Sequence, residues 1–188
     1  MDPTTLSREA LVAQLLGSGP CQAPPHTGEA LPAHWADDAD RLQHLLAIAR
    51  ELLLRDLRRH WQDQPFMDAP ETLKTWLRLQ LGGLEHEEFL VVYLTPQHRI
   101  SGIERLFRGS LCQASIYPRE VVKRALAVNC GAVAFVHNHP SGSAEPSRAD
   151  ECLTATLKNA LAMVDVRCVD HLIVAGDQVL SMAERGLV

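Results

Sequence analysis

The sequence predicts an α+β (mixed α/β) fold, in which helices are combined with a small β-sheet. Apolar residues recur at three- and four-residue spacing from Asp40 to His60, as they do in an amphipathic helix. Short apolar runs rich in small and β-branched residues, at 89–94 and 132–139, are typical of buried strands. Because helical and strand segments interleave without a regular βαβ repeat, the α+β class is favoured.

Local signals place the individual elements. Gly82-Gly83 ends the helix expected at 68–81, and Pro118 stands where a later helix can begin. In order, we expect a helix at 5–16, a Pro/Gly-rich linker at 17–35, helices at 40–60 and 68–81, strands at 89–94 and 99–107, a helix at 118–128, a strand at 132–139, a helix at 147–164 and a strand at 171–176. We divide the chain into an N-terminal helical segment, residues 1–66, and a second domain, residues 67–188.

Composition is that of an ordinary globular protein. The 188 residues are 46% hydrophobic with a formal net charge of −5, so charge alone does not attract the chain to nucleic acid or to an anionic membrane. The N-terminus lacks a signal-peptide pattern, and no apolar stretch is long enough to span a bilayer. Five cysteines without a C-x-x-C pair argue against disulfides and against a cysteine zinc site. We therefore expect a cytoplasmic protein without a membrane partner.

Charge is uneven along the chain. Between residues 99 and 124, six basic residues accompany only two acids, Glu104 and Glu120. The basic residues are Arg99, Arg105, Arg108, Arg119, Lys123 and Arg124. This segment is either a basic patch able to contact nucleic acid or an ordinary solvated surface, and the second is the commoner case.

The segment HNHPSGSAEPSRAD, residues 137–150, contains a candidate metal site. Alternate residues of a strand point to the same face, so His137 and His139, roughly 6.6 Å apart at Cα, can converge on one ion. A tight turn then brings Asp150, in the first turn of the next helix, back towards them. Two imidazoles and one carboxylate leave a fourth position for water, as in catalytic zinc sites.

Spacing alone leaves another explanation open. An H-x-H pair occurs on strands by chance, and Ser147-x-x-Asp150 is also the pattern of a helix capping box with Ser147 as the N-cap. From these residues alone, a metal site and a purely structural helix start are about equally well supported.

The full segment resembles a known signature. His137-x-His139, seven residues, then Ser147-x-x-Asp150 matches the JAMM motif residue for residue, and HNHPSG, with Asn138 and Ser141-Gly142, resembles the variant in RadC-family (UPF0758-type) proteins. The stretches LFRGSLCQASIYPREVVKRAL and DHLIVAGDQVLSMAERGLV extend the resemblance, which covers about residues 42–188. It implies an MPN/JAB-like fold: a curved β-sheet flanked by helices, with zinc at one edge.

The resemblance also implies roles for individual residues. His137, His139 and Asp150 correspond to the ligands of one Zn²⁺, and Ser147 to a serine that stabilises an oxyanion. The JAMM pattern needs a distant glutamate that carries a proton. Glu87, just before the strand at 89–94, is the first choice against its interpretation as an exposed acid, and Glu104 is the second. We interpret His171 as a structural histidine rather than as a residue that supports a ligand.

The implied activity is that of a zinc-dependent metallopeptidase that cleaves peptide or isopeptide bonds in a peptide or protein substrate. The alternative is a binding module associated with DNA repair, in which the zinc site is not used for proteolysis. A three-ligand site with an open position favours chemistry, because structural zinc sites are closed by four protein ligands. The intact motif argues against a third option, a scaffold that has lost its activity.

Overall fold

A computed structural model describes residues 2–17, 34–67, 70–109 and 116–188, with only the main chain described for 34–39 and 70. The chain divides into two compact units, Met1–Asp56 and Leu57–Val188. Most of the Pro/Gly-rich tract and the predicted helix start at Asp68 lie outside the described residues. The domain boundary expected between residues 66 and 67 stays a prediction.

The first unit is helical. It contains a 3₁₀ turn at Pro3–Thr5, helix α1 at Arg8–Gly17 and most of helix α2, which spans His34–Trp61. Within it, the guanidinium of Arg55 donates to the carbonyl oxygens of Leu6 at 2.7 Å and Thr4 at 3.0 Å, and its Nε bonds Glu51 one turn earlier. None of the described helices combines the length and the apolar character that crossing a bilayer requires.

The second unit combines helices with a mixed sheet, as the sequence predicts. The helices after α2 are α3 at Pro70–Leu81, α4 at Pro118–Ala127 and α5 at Arg148–Ala162. The strands are β1 at Glu88–Leu94, β2 at Ile100–Arg108, β3 at Ala132–Asn138, β4 at Arg167–Ala175 and β5 at Gln178–Ser181. They form one sheet in the order β2-β1-β3-β4-β5, in which only β3 and β4 are parallel.

Helices cover both faces of the two central strands, β1 and β3, in which every residue is buried. On one face, Leu90 and Val136 pack in the same cluster as Leu77 of α3. On the other face, Phe89 and Phe135 pack with residues of α4 and α5. Burial on both faces explains why β1 and β3 are continuous apolar runs rather than alternating ones.

The last hairpin was not predicted. β4 is longer than the expected strand at 171–176, and the short edge strand β5 pairs with it from Leu172↔Ser181 to Ala175↔Gln178. Gly176-Asp177 joins them, with Gly176 at φ 56°. A glycine in this region is a recognised hairpin signal, but four residues with little alternation give weak evidence of a strand.

Gly82, directly after α3, lies against the turn between β4 and β5. A Cβ here would overlap the carbonyl oxygen of Gly176 and lie 2.7 Å from that of Arg78, whereas a Cβ on Gly83 would meet nothing within 4 Å. We expect Gly82→Ala to lower the free energy of unfolding by about 1–3 kcal/mol, because main-chain atoms must move. Gly83→Ala is the matched control, with a change of less than about 0.5 kcal/mol. Equal urea midpoints for the two variants would contradict this.

Candidate metal centre

The candidate ligands lie where β3 ends and α5 begins. His137 is the penultimate residue of β3, and the main-chain N of His139 still donates to Val174 of β4 at 2.8 Å, so the extended direction continues past the strand. The two imidazoles therefore project from the same face, as strand alternation predicts. α5 then connects β3 to the parallel strand β4, and its first turn carries Asp150 to the same edge.

The three side chains meet closely. Nε2 of His137 lies 2.8 Å from Nε2 of His139 and 3.1 Å from Oδ1 of Asp150, and His139 Nε2 lies 3.5 Å from Asp150 Oδ2. Their candidate ligand atoms all lie within 4.8 Å of one another. The side chains are 9%, 14% and 12% exposed in that order, so the group lies just beneath the surface.

The proton on His139 is positioned by a carbonyl. Its Nδ1 lies 2.8 Å from the main-chain oxygen of Ser143, in the turn that follows β3. A carbonyl oxygen only accepts hydrogen bonds, so Nδ1 donates. In the neutral ring, Nε2 then carries an unshared pair directed at Asp150 and His137.

A longer chain of hydrogen bonds determines which ring nitrogen of His137 carries the proton. The Thr154 hydroxyl donates to the carbonyl oxygen of Asp150 at 2.6 Å, so His171 Nδ1, 2.6 Å away, must donate to that hydroxyl. His171 Nε2 is then an acceptor, and His137 Nδ1 donates to it at 2.8 Å. His137 Nε2 is left with its unshared pair facing the same point.

These tautomers test whether a metal fits. Two imidazole nitrogens and a carboxylate, all presenting electron pairs to one point, repel one another unless a cation lies between them. Two nitrogens and one oxygen are also the donor set of many catalytic zinc sites. His137, His139 and Asp150 could therefore hold a metal ion, and its identity as zinc stays a prediction.

A comparison with known proteins decides the family. Residues 67–187 match the family model described as a RadC-like JAB domain. The chain belongs to this family. The resemblance read from the HNHPSG tract and the JAMM spacing is confirmed, and so is the mixed α+β fold of a JAB domain.

Individual relatives agree. The chain is 53% identical over 147 residues to a UPF0758 protein of Leptothrix cholodnii, covering 78% of this chain and 64% of the relative. It is 48% identical over 168 residues to a UPF0758 protein of Nitrosomonas eutropha, covering 89% of this chain and 73% of the relative. The chain thus spans only about two thirds of the length of some curated relatives it matches.

Electrostatics in this JAB domain centre on Asp150. Burial raises the pKa of Asp150, but hydrogen bonds with His137 and His139 outweigh it and hold that pKa well below its ordinary value. The bond to Asp150 is in turn the main reason why the pKa of His139 is raised. A proton and a metal ion therefore compete for the same nitrogen atoms, and Asp150 stays ionised in either case.

Ser147 is the N-cap of α5, and the capping box is present. Its Oγ accepts from the main-chain N of Asp150 at 3.2 Å and donates to Oδ2 of Asp150 at 2.6 Å, while its own main-chain N donates to Oδ2 at 2.7 Å. The two interpretations of Ser147-x-x-Asp150 are therefore not exclusive, because the capping contacts orient the carboxylate of the metal group. The catalytic role of Ser147 stays a prediction.

The strand register indicates the position of Glu87. The register pairs Phe89 with His137, so alternation two residues further places Glu87 on the face of the imidazoles, opposite His139. The charge of Glu87 adds, after the larger contribution of Asp150, to the raised pKa of His139. Glu88 is buried on the other face, where its carboxylate contacts His86 and Arg105.

Glu104, the second choice, lies elsewhere. It belongs to β2, which β1 separates from β3. Its Oε2 accepts hydrogen bonds from the Tyr93 hydroxyl at 3.0 Å and from Arg124 Nε. Of the two candidates, only Glu87 lies next to a strand that pairs directly with β3, and the choice of Glu87 as proton shuttle stays a prediction.

Sequence reasoning undervalued two groups behind the ligands. His171 is fully buried with both ring nitrogens bonded, as a structural histidine is, yet one partner is the candidate ligand His137. Burial lowers the pKa of His171 well below its ordinary value and keeps the ring neutral. Thr154 was not considered, although it lies one helical turn after Asp150 on the same face, a spacing visible in the sequence.

Zinc binding should require the three ligands, whereas folding should not require zinc. We expect the protein to bind about one zinc per chain, and His139→Ala to weaken binding more than about a hundredfold while retaining the parent circular dichroism. Affinity should also fall on acidification through the raised pKa of His139. The checks are metal analysis and calorimetric titration, with His44→Ala in α2 as the control. Global unfolding of His139→Ala would mean that the metal is structural, and absence of zinc uptake by the parent would refute the site.

The hydrogen-bond chain behind His137 should set zinc affinity as well. Thr154→Val keeps the side-chain shape but leaves His171 Nδ1 without its acceptor, so we expect zinc affinity to fall about 10- to 100-fold with the fold retained. Thr156→Val is the matched control, since this exposed hydroxyl makes the same bond to the carbonyl four residues earlier, that of Cys152, away from the site. Equal zinc dissociation constants for the two variants would show that the chain of bonds does not act on the ligand.

Proposed function

We propose that this JAB domain is a zinc-dependent hydrolase of the JAMM type that cleaves a peptide or isopeptide bond. The observation that carries the proposal is the convergence of His137, His139 and Asp150. Strand alternation from Phe89 places one further carboxylate, Glu87, on the same face. Zinc held by such a donor set acts as a Lewis acid and makes water nucleophilic near neutral pH. Among the described residues, the metal group comprises three side chains and not the four that close a structural zinc site.

Each residue then has a defined task. The carboxylate of Asp150 and the two imidazoles would hold the ion. Glu87 accepts the proton of the attacking water and delivers it to the leaving amine, the task of a general base and then a general acid. Ser147, exposed at the N-terminus of α5, stabilises the developing oxyanion, where the positive end of the helix dipole adds to its effect.

The shallow position of the group suits a large substrate. All three ligand side chains are 14% exposed or less, but none is enclosed completely. A main-chain amide of a peptide, or the amide of a side-chain linkage, needs access of this kind, and we assign a peptide or protein as the partner.

The alternative, a DNA-repair-associated binding module, has less support. Of the basic residues between 99 and 124, Arg105 is paired with Glu88 and Arg124 with Glu104. These acids reduce the positive charge available to phosphate groups in the segment. Nucleic-acid binding stays a prediction from the sequence.

The test of the proposal is Glu87→Gln. Glutamine keeps the shape of the side chain but cannot take the proton, so we expect unchanged zinc occupancy and hydrolysis slower by about a hundredfold or more. Turnover would be measured on zinc-loaded protein with a library of peptides and isopeptide-linked lysine substrates.

Glu104→Gln is the control for this test. Its amide can still accept from Tyr93, and its position one strand away predicts turnover within about twofold of the parent. Reversed effects would mean that the shuttle is Glu104. A zinc-loaded parent protein without turnover on either substrate class would refute the proposed function.

A further inference from the structure

The main-chain pairing of β1 with β3 ends at Phe89 and His137, and a side chain continues it. Asn138, the last residue of β3, is 2% exposed and points to the face opposite the two imidazoles. Its Oδ1 accepts from the main-chain N of Glu88 at 2.8 Å, and its Nδ2 donates to the main-chain O of His86 at 2.9 Å. A carboxamide has the donor and the acceptor of a peptide group, so it replaces one rung of the ladder.

The two main-chain groups that Asn138 binds flank Glu87. From the β2 side, the main-chain N of Gly109 donates to the carbonyl oxygen of Glu87 at 2.8 Å. The peptide units on either side of Glu87 are thus held from both neighbouring strands, although Glu87 itself precedes β1.

The adjoining carboxylate is held away from the metal group. Glu88 is 2% exposed, its Oε1 lies 3.0 Å from His86 Nε2, and its Oε2 is paired with Arg105. With Glu88 fixed on one face, alternation fixes Glu87 on the other, the face of His137 and His139.

We propose that Asn138 is a positioning residue that fixes the main chain on both sides of Glu87 and so holds its carboxylate at the metal-binding face. The inference rests on the proposed function, in which Glu87 carries the proton. Asn138 lies between His137 and His139 in the chain. One three-residue segment therefore positions the two candidate ligands on one face, and its middle side chain, on the other face, positions the main chain of Glu87. A displacement of the order of 1 Å is enough to lower turnover by about a hundredfold.

The chemistry of the side chain decides which substitutions are informative. Alanine removes both hydrogen bonds, so the N–H of Glu88 and the carbonyl of His86 lose the partner that the Asn138 side chain provides. Aspartate has nearly the same shape and can still accept from Glu88 N, but it has no donor for His86 O. Because Asn138→Ala removes two buried hydrogen bonds and its stability can suffer, Asn138→Asp provides a second variant, which keeps the bond from Glu88 N at the cost of a buried carboxylate.

The decisive experiment is a double-mutant cycle with Glu87→Gln on the full chain loaded with zinc. We expect Asn138→Ala to lower kcat about tenfold or more, with KM and zinc affinity within about twofold of the parent. In the Glu87→Gln background, the same change should lower kcat by less than about twofold, because there is no shuttle left to position. Ser101→Ala is the control, since it removes a 3.1 Å bond from a side chain to the main chain of β1 at Tyr93, near the other end of the strand.

A second measurement does not depend on turnover. Amide hydrogen exchange of the metal-free protein should be at least about tenfold faster at Glu88 in Asn138→Ala, but not in Asn138→Asp, with the core of β3 and β4 unchanged in both. Unchanged exchange at Glu88 in Asn138→Ala would overturn the inference.

The outcomes separate the two proposals. Additive losses in the cycle, or a zinc affinity that falls in parallel with kcat, would overturn the positioning role while leaving the hydrolase intact. Full turnover by Glu87→Gln would instead refute the assignment of Glu87 as shuttle, and with it the positioning role of Asn138 in catalysis.

Discussion

The mutual repulsion of three electron pairs at the end of β3 is the constraint around which this site is organised. With both imidazoles neutral, His137, His139 and Asp150 present unshared pairs to one point. When an imidazole takes up a proton, it donates to the carboxylate, which stays ionised. The unprotonated arrangement costs free energy until a cation occupies it, so other parts of the fold must supply the energy that holds it. The parallel pairing of β3 with β4 and the capped start of α5 do this.

Strand alternation separates the tasks of neighbouring residues. In β3, His137 faces the metal group, whereas Asn138 faces the main chain of the preceding segment. At the start of β1, Glu88 forms an ion pair with Arg105 on one face, and alternation places the preceding residue, Glu87, on the other. Two antiparallel strand ends thus place the two candidate histidine ligands and Glu87 on one face without a long loop, and rigid elements position side chains more accurately than loops do.

Contacts between residues close in the sequence could be predicted, whereas contacts between distant residues could not. The H-x-H pair and Ser147-x-x-Asp150 are short patterns, so both the capping box and the proximity of the three candidate ligands could be predicted. Contacts such as Asn138 to His86, 52 residues apart, and Thr154 to His171, 17 residues apart, depend on strand order. No short pattern encodes that order. β5 was missed because it is a short edge strand that depends on the pairing surface of β4.

The same reasoning explains why the capping box and the metal group should share one aspartate. The N-terminus of a helix favours a negative charge, and Ser147 provides two hydrogen bonds to one oxygen of Asp150. Its other oxygen, Oδ1, lies 3.1 Å from His137 Nε2. A carboxylate whose Oδ2 is held in this way keeps Oδ1 directed at the position that a metal ion would occupy. The Ser147 hydroxyl, however, has a single proton, which it gives to Asp150 in this structure. In the proposed reaction, stabilisation of an oxyanion by Ser147 therefore requires that proton to turn from the carboxylate to the substrate, whereas the capping bond that Oγ accepts from the main-chain N of Asp150 does not use this proton.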